Sequence, residues 1–272
     1  MKLLLLKMPF QKERIIETDC SKITEKLKIK YGSYIEICDL KNEADICIAK
    51  SGESDYCVTI GESVTYTAYP MCCVEAFVFE NPTYDKSVLA LHGAAVEWNG
   101  KGYVFLAATT TGKTTLTSYL TSCGYGYITE DCVLLDRQSF EIYPVLAPIR
   151  LREGGLNVLE RYHALPTVLR KVCEGDESCR YIYMPENCVD CAIPLGEIFF
   201  VERTEDENLV VSMTTTEKIA ALIKSPIMAY PISPSYLQFL GGIAVKHCKG
   251  LRYKDMDFVK EVIEQHALES FI

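Results

Sequence analysis

The chain lacks any run of the ~18 consecutive apolar residues that a membrane-spanning helix needs, although apolar residues fill 49% of its 272 positions. Its opening, MKLLLLK, is too short in apolar length for a secretory leader and has no small-residue cleavage site; it reads as a first β-strand. Positive charge is in deficit: 28 Lys and Arg stand against 37 Asp and Glu, a net charge of −9. General nucleic-acid binding usually needs a basic face. Neither nucleic acid nor a membrane is therefore expected as a partner, and the expected location is the cytoplasm. Internal repeats, low-complexity segments and long linkers are absent. With 24% charged residues the composition excludes collagen, coiled coil and wholesale disorder, and the length suits one large domain or two small ones.

A second C-x-x-C pair is missing too. Cys173, Cys179, Cys188 and Cys191 are spaced C-x5-C-x8-C-x2-C, whereas structural zinc sites usually have two close ligand pairs. These four are not expected to hold zinc. The 13 cysteines mostly sit in apolar company, as in ICDL (Cys38), ICIA (Cys47) and MCCVEAF (Cys72, Cys73). They read as small core hydrophobes in a reducing compartment.

Residues 1–85 carry no recognisable catalytic motif. Short apolar runs (LLLLKM, SYIEICDL, ADICIAK, DYCVTIG, VTYTAY) predict strands, and Pro70 to Phe77 begins a helix, so this segment reads as a β-rich N-terminal subdomain. Residues 86–272 are the second domain. Ser87 to His92 is a strand, and Asn99-Gly100 is a hairpin turn. Tyr103 to Ala107 is a buried strand, Thr114 to Cys123 a helix stopped by Gly124, and Tyr125 to Thr129 another strand. Pro144 to Pro148 is extended, Leu156 to Leu169 a helix broken near Pro166, and residues 174–178 a polar loop. Glu197 to Val201 is a buried strand, and Lys218 to Lys224 and Asp257 to Leu268 are amphipathic helices.

What chemistry there is gathers in Ala107-Ala108-Thr109-Thr110-Thr111-Gly112-Lys113-Thr114-Thr115. A phosphate loop has the pattern G-x-x-x-x-G-K-[ST]; here Ala107 stands for the first glycine. Backbone N–H groups from Ala108 to Gly112 can point at phosphate oxygens, and the helix that starts at Lys113 adds its positive end. Lys113 brings a mobile positive charge, and the Thr114 hydroxyl is a hard oxygen suited to Mg²⁺. The flanking strand and helix are the context that such a loop requires. The plainer alternative is a threonine-rich turn before a helix. Thr129-Glu130-Asp131 lies at a strand end, where two acids can divide metal binding from proton acceptance. His92 lies at another strand end. Arg150 and Arg152 flank a strand after Pro148, and Arg180 follows the acidic loop; arginines of this kind can converge on phosphate.

The run LHGAAVEWNGKGYVFLAATTTGKTTLTSYLTSCGYGYITEDCVLLD resembles the core of the C-terminal domain of HPr kinase/phosphorylase. His92, Lys113, Thr114, Glu130 and Asp131 match the positions of the family's motif. The match is firm over residues 88–136 and looser through PVLAPIRLR. Glu130 stands where the family usually has a first aspartate, the E-x-R-G segment is not visible, and the N-terminal part differs from that of the family. HPr is therefore not the expected substrate. The nearer likeness is to HPr-kinase-like proteins associated with ribosomal peptide modification, such as lasso-peptide kinases. The resemblance implies an α/β fold of the HPr kinase and phosphoenolpyruvate carboxykinase type, with a mixed β-sheet around the phosphate loop.

The same resemblance implies an ATP-dependent kinase of a hydroxyl group, with a serine of a peptide or protein as acceptor. In that reading the loop, Lys113 and Thr115 hold ATP. Thr114 and Asp131 hold Mg²⁺, Glu130 or Asp131 takes the hydroxyl proton, and His92 and Arg180 steady the transferred group. The alternatives are a small-molecule kinase on the same scaffold and a nucleotide-binding module without catalysis. Self-association stays open.

Overall fold

The apolar runs at the start of the chain pair into one six-stranded sheet. In this computed structural model, which describes residues 2–9, 11–39, 43–80, 87–107, 111–174, 178–227 and 231–269, the chain divides into two units, Met1–Lys86 and Ser87–Ile272. The first contains β1 (Lys2–Leu6), β2 (Arg14–Thr18), α1 (Ser21–Tyr31), β3 (Ile35–Cys38), β4 (Ile46–Lys50), β5 (Tyr56–Ile60), β6 (Ser63–Thr67) and α2 (Pro70–Glu80). The sheet order is β3-β1-β2-β4-β5-β6, antiparallel except between β2 and β4. Ile23 and Leu27 of α1, and Val74 and Val78 of α2, are buried at i, i+4 spacing. Strand β2 and helix α1 were not among the elements expected from the sequence.

The second unit contains β7 (Val88–Leu91), β8 (Gly93–Trp98), β9 (Lys101–Leu106), α3 (Lys113–Ser122), β10 (Gly126–Thr129), β11 (Val133–Asp136), β12 (Glu141–Tyr143), β13 (Ile149–Leu151), α4 (Glu153–Arg161), β14 (Arg170–Glu174), β15 (Ser178–Tyr183), β16 (Ile193–Arg203), β17 (Leu209–Val211), α5 (Thr215–Lys224), α6 (Pro234–His247), β18 (Cys248–Tyr253) and α7 (Met256–Glu269). Its main sheet runs β10-β8-β9-β16-β12-β11-β7, and β18 with β17 attaches to the far end of β16. Strands β9, β16 and β18 are mutually parallel and the remaining pairs antiparallel, so the sheet is mixed. Alternation decides which side each residue serves. Tyr103 and Phe105 of β9 pack with Leu116, Leu120, Val259 and Ile263. Val104 and Leu106 point the other way and pack with Leu222, Leu240 and Ile243. Helices on both faces explain why β9 reads as an unbroken apolar run. A three-stranded sheet, β13-β15-β14, stands apart.

Asn99 and Gly100 both have positive φ (51° and 74°), the two-residue turn that their dipeptide predicts. The helix expected over 156–169 is instead α4, which ends at Arg161; His163 has φ 54°, and Leu165 precedes a proline, which disfavours helical backbone there. The expected loop over 174–178 falls partly outside the described residues. The cysteines are less buried than expected: Cys132 and Cys248 are buried, Cys72 and Cys191 exposed, and the other free thiols intermediate. Cys179 is disulfide-bonded, so its sulfur is not a thiolate ligand. Among the described residues no helix is long and apolar enough to cross a membrane.

Candidate functional site

Strand β9 delivers the chain to Ala107, and α3 resumes it at Lys113. The expected loop residues Ala108, Thr109 and Thr110 lie outside the described residues. Gly112 holds φ 91°, a backbone region that side chains disfavour, which accounts for glycine at this point. Leu116 N–H donates to the Gly112 carbonyl at 2.9 Å, closing the first turn of α3. The Lys113 Nζ donates to the Ala107 carbonyl at 2.9 Å. Burial pushes the Lys113 pKa down, against the opposing pull of Asp131 and Glu130.

The two acids follow β10, whose pairing with β8 shifts register between Tyr127 and Thr129. Such an irregularity bends a strand and re-aims the residues beyond it. Cys132 N–H donates to the Glu130 carbonyl at 2.9 Å, which makes a tight turn around Asp131. Asp131 sits at φ 66°, a region that aspartate tolerates better than most residues but still at a cost. The buried Thr129 hydroxyl donates to the Cys132 carbonyl at 2.7 Å and braces the turn.

Glu130 is 8% exposed. One of its carboxylate oxygens accepts a hydrogen bond from the Thr114 hydroxyl, and the other accepts from the Arg150 N–H at 3.4 Å. Its pKa is raised to about 7, first by burial and then by the neighbouring Asp131 charge; the bonds from Thr114 and Arg150 work in the other direction. Asp131 is more open, and its Oδ2 accepts from Arg150 Nη2 at 3.1 Å. His92 lies at the hinge between β7 and β8. Its N–H donates to the Ser225 carbonyl at 2.7 Å, and its Nδ1 lies 3.2 Å from the Asp131 carbonyl. A carbonyl only accepts, so Nδ1 carries the proton. Gly93, next in the chain, leaves no room for a side chain: a Cβ there would stand 2.8 Å from the Phe105 carbonyl oxygen.

Lys113, Thr114, Glu130, Asp131 and His92 are thus brought together by hydrogen bonds and charge. Arg150, which in the sequence is only one of two arginines flanking a strand, touches both acids. Arg152 leads exposed into α4 and joins none of them. Arg180 is on β15, where Ile182 pairs with Arg150. Alternation puts Arg180 on the same face of the small sheet as Arg150, about 7 Å further along; its Nη1 donates to the Cys179 carbonyl at 3.2 Å. Thr111 accepts from the Tyr253 hydroxyl at 3.4 Å through its carbonyl. Thr115 lies on another side of α3, against Gly155. Arg203 and Tyr253, both close to Gly112, escaped notice in the sequence because nothing local marks them. Each is the last residue of a parallel strand.

No family model matches the chain, and no curated protein matches it. Among solved structures, the Hpr(Ser) kinase/phosphatase from Coxiella burnetii is similar over 67% of this chain and 99% of its own, at 10% identity and a TM-score of 0.36. A likeness of that order is a weak resemblance of fold and carries no argument about chemistry.

Proposed function

We propose that this chain transfers a phosphoryl group from ATP to a hydroxyl, with a serine of a peptide or protein as acceptor. The observation that carries the reading is the hydrogen bond from Thr114 to Glu130, which joins the first turn after the glycine–lysine loop to the acids at the end of β10. Loop amides and Lys113 then hold phosphates. Lys113 exchanges its bond to the Ala107 carbonyl for charge-assisted bonds to phosphate oxygens.

The donor set fits Mg²⁺, which usually takes hard oxygens from one or two carboxylates together with substrate phosphates. Thr114, Glu130 and Asp131 are the residues that would hold it or its waters. When bound, the ion neutralises charge on the transferring phosphate.

Between the two acids left open as proton acceptor, the hydrogen bonds support Asp131, with Glu130 on the metal side in place of Asp131. Glu130 is buried and engaged through both oxygens, one of them by the Thr114 hydroxyl, which puts it on the metal side. Asp131 is held by Arg150 through Oδ2 and is otherwise open, so Oδ1 is the better acceptor for the proton of an incoming hydroxyl. His92, with its proton on Nδ1, keeps the Asp131 turn in place. In this reading Arg180, on the same face of the small sheet as Arg150, is the cation that offsets charge on the transferred group.

The test is a labelled ATP transfer assay with serine-containing peptides, titrated with Mg²⁺. Asp131→Asn is expected to retain nucleotide binding and lose roughly 10²–10⁴-fold in turnover, the usual worth of a general base. Glu130→Gln is expected to raise the Mg²⁺ concentration needed for half-maximal rate. Nucleotide binding without transfer to any acceptor would leave a regulatory module in place of the kinase.

A further inference from the structure

A cavity of about 850 Å³ opens beside the loop. Gly112 and Thr115 form part of its wall, but Lys113, Thr114, Glu130 and Asp131 do not. The acids thus take no part in the cavity's wall. Further along α3 the wall continues through Tyr119 and Ser122, the end of α4 adds Arg161 and Tyr162, and the carboxyl ends of two parallel strands close another side. Strand β16 ends at Arg203 and β18 at Tyr253, and both residues line it, while β9 leads into the loop itself. Ligands of open α/β sheets bind at these ends of the strands, and the volume lies in the range of small-molecule pockets.

The chemistry of the wall changes with distance from the loop. Beside Gly112 stand Tyr253 and Arg203: a Cβ on the glycine would lie 3.4 Å from the Tyr253 hydroxyl and 3.9 Å from Arg203 Cδ. Further out are two aromatic rings in edge contact, Tyr119 and Tyr162, with centroids 5.2 Å apart. Both are fixed through their hydroxyls. Tyr162 donates to Asp255 Oδ1 at 2.9 Å, and Tyr119 donates to Asp257. A positive charge beside the loop, followed by a rigid aromatic wall, suits a ligand that is anionic at one end and a flat ring at the other.

We propose that this cavity holds the nucleoside of the nucleotide whose phosphates occupy the loop, with Arg203 against the phosphate nearest the sugar. The inference rests on the nucleotide reading above and adds a direction to it. The reacting phosphate faces Glu130 and Asp131, and the sugar and base lie on the far side of Gly112.

Calorimetric titration of the full chain with ATP and with inorganic triphosphate, both with Mg²⁺, separates the two parts of the ligand. Wild type is expected to bind ATP at least tenfold more tightly than triphosphate. Ser122→Trp and Thr204→Trp place a large ring in the cavity from positions outside the loop, one exposed and one half-exposed. Each is expected to lose at least tenfold in ATP affinity and to keep the wild-type affinity for triphosphate. Equal affinity of wild type for the two ligands would overturn the inference while leaving the loop assignment standing. So would unchanged ATP affinity in both variants, or parallel loss of both ligands in them. Failure of wild type to bind either ligand would overturn the nucleotide reading and this inference with it.

Discussion

Glu130 is the residue where the site's electrostatics and the stability of the fold meet. Its pKa in the folded chain is raised to about 7 from the ordinary 4.5, with burial the largest cause. A carboxyl whose folded pKa is raised stabilises the fold while protonated. That contribution is complete below the unfolded pKa and is lost as pH rises through the folded one. Without Mg²⁺, the wild-type chain is expected to lose about 3 kcal/mol at this site between pH 4.5 and pH 7, at ~1.4 kcal/mol per pKa unit. Glu130→Gln has no proton to lose. Urea melts in the presence of a chelator are expected to show the variant matching wild type near pH 4.5 and exceeding it at pH 8. A constant difference between the two chains across that range would remove Glu130 as the titrating group.

At the scale of elements, the site depends on three turns meeting: the loop after β9, the turn after β10 and the hinge between β7 and β8. The hinge is the tightest, because Gly93 packs directly against β9. Gly93→Ala would bring its Cβ to 2.6 Å from Leu106 Cδ2 as well as close to the Phe105 carbonyl. Overpacking of this kind costs about 1–3 kcal/mol, and the shift falls on His92 next to it. The variant is expected to melt at lower denaturant concentration and to lose turnover more than ATP affinity. Unchanged melting would mean that the hinge has room to spare. These elements also divide by how local their causes are. The Asn99-Gly100 hairpin, the buried β9 and the start of α3 at Lys113 are set by adjacent residues, so they could be read from the chain. Helix α1 was missed because much of its surface is polar. The end of α4 was overrun because Leu156 to Leu169 continues an apolar pattern past the point where His163 turns the backbone.

For the whole molecule, residues that carry the site come from the unit Ser87–Ile272. An exposed residue of the other unit, Tyr66 on β6, is expected to be replaceable by alanine with no change in ATP affinity. What could not be read from the sequence is the long-range pairing. The parallel register of β16 with β9 and β18, and with it the placement of Arg203 and Tyr253 beside Gly112, comes from contacts between distant parts of the chain. Arg150 is a similar case. Its link to both acids exists because β13 passes the end of β10, and no spacing in the sequence records that. The central claim is that Gly112, Lys113 and Thr114 hold the phosphates of a nucleotide, and it is tested most directly by calorimetric titration of ATP with Mg²⁺ into wild type and Lys113→Ala. The account predicts one ATP per chain for wild type and at least a tenfold loss of affinity in the variant, since charge-assisted bonds to phosphate are removed. Equal affinities in the two proteins would contradict it.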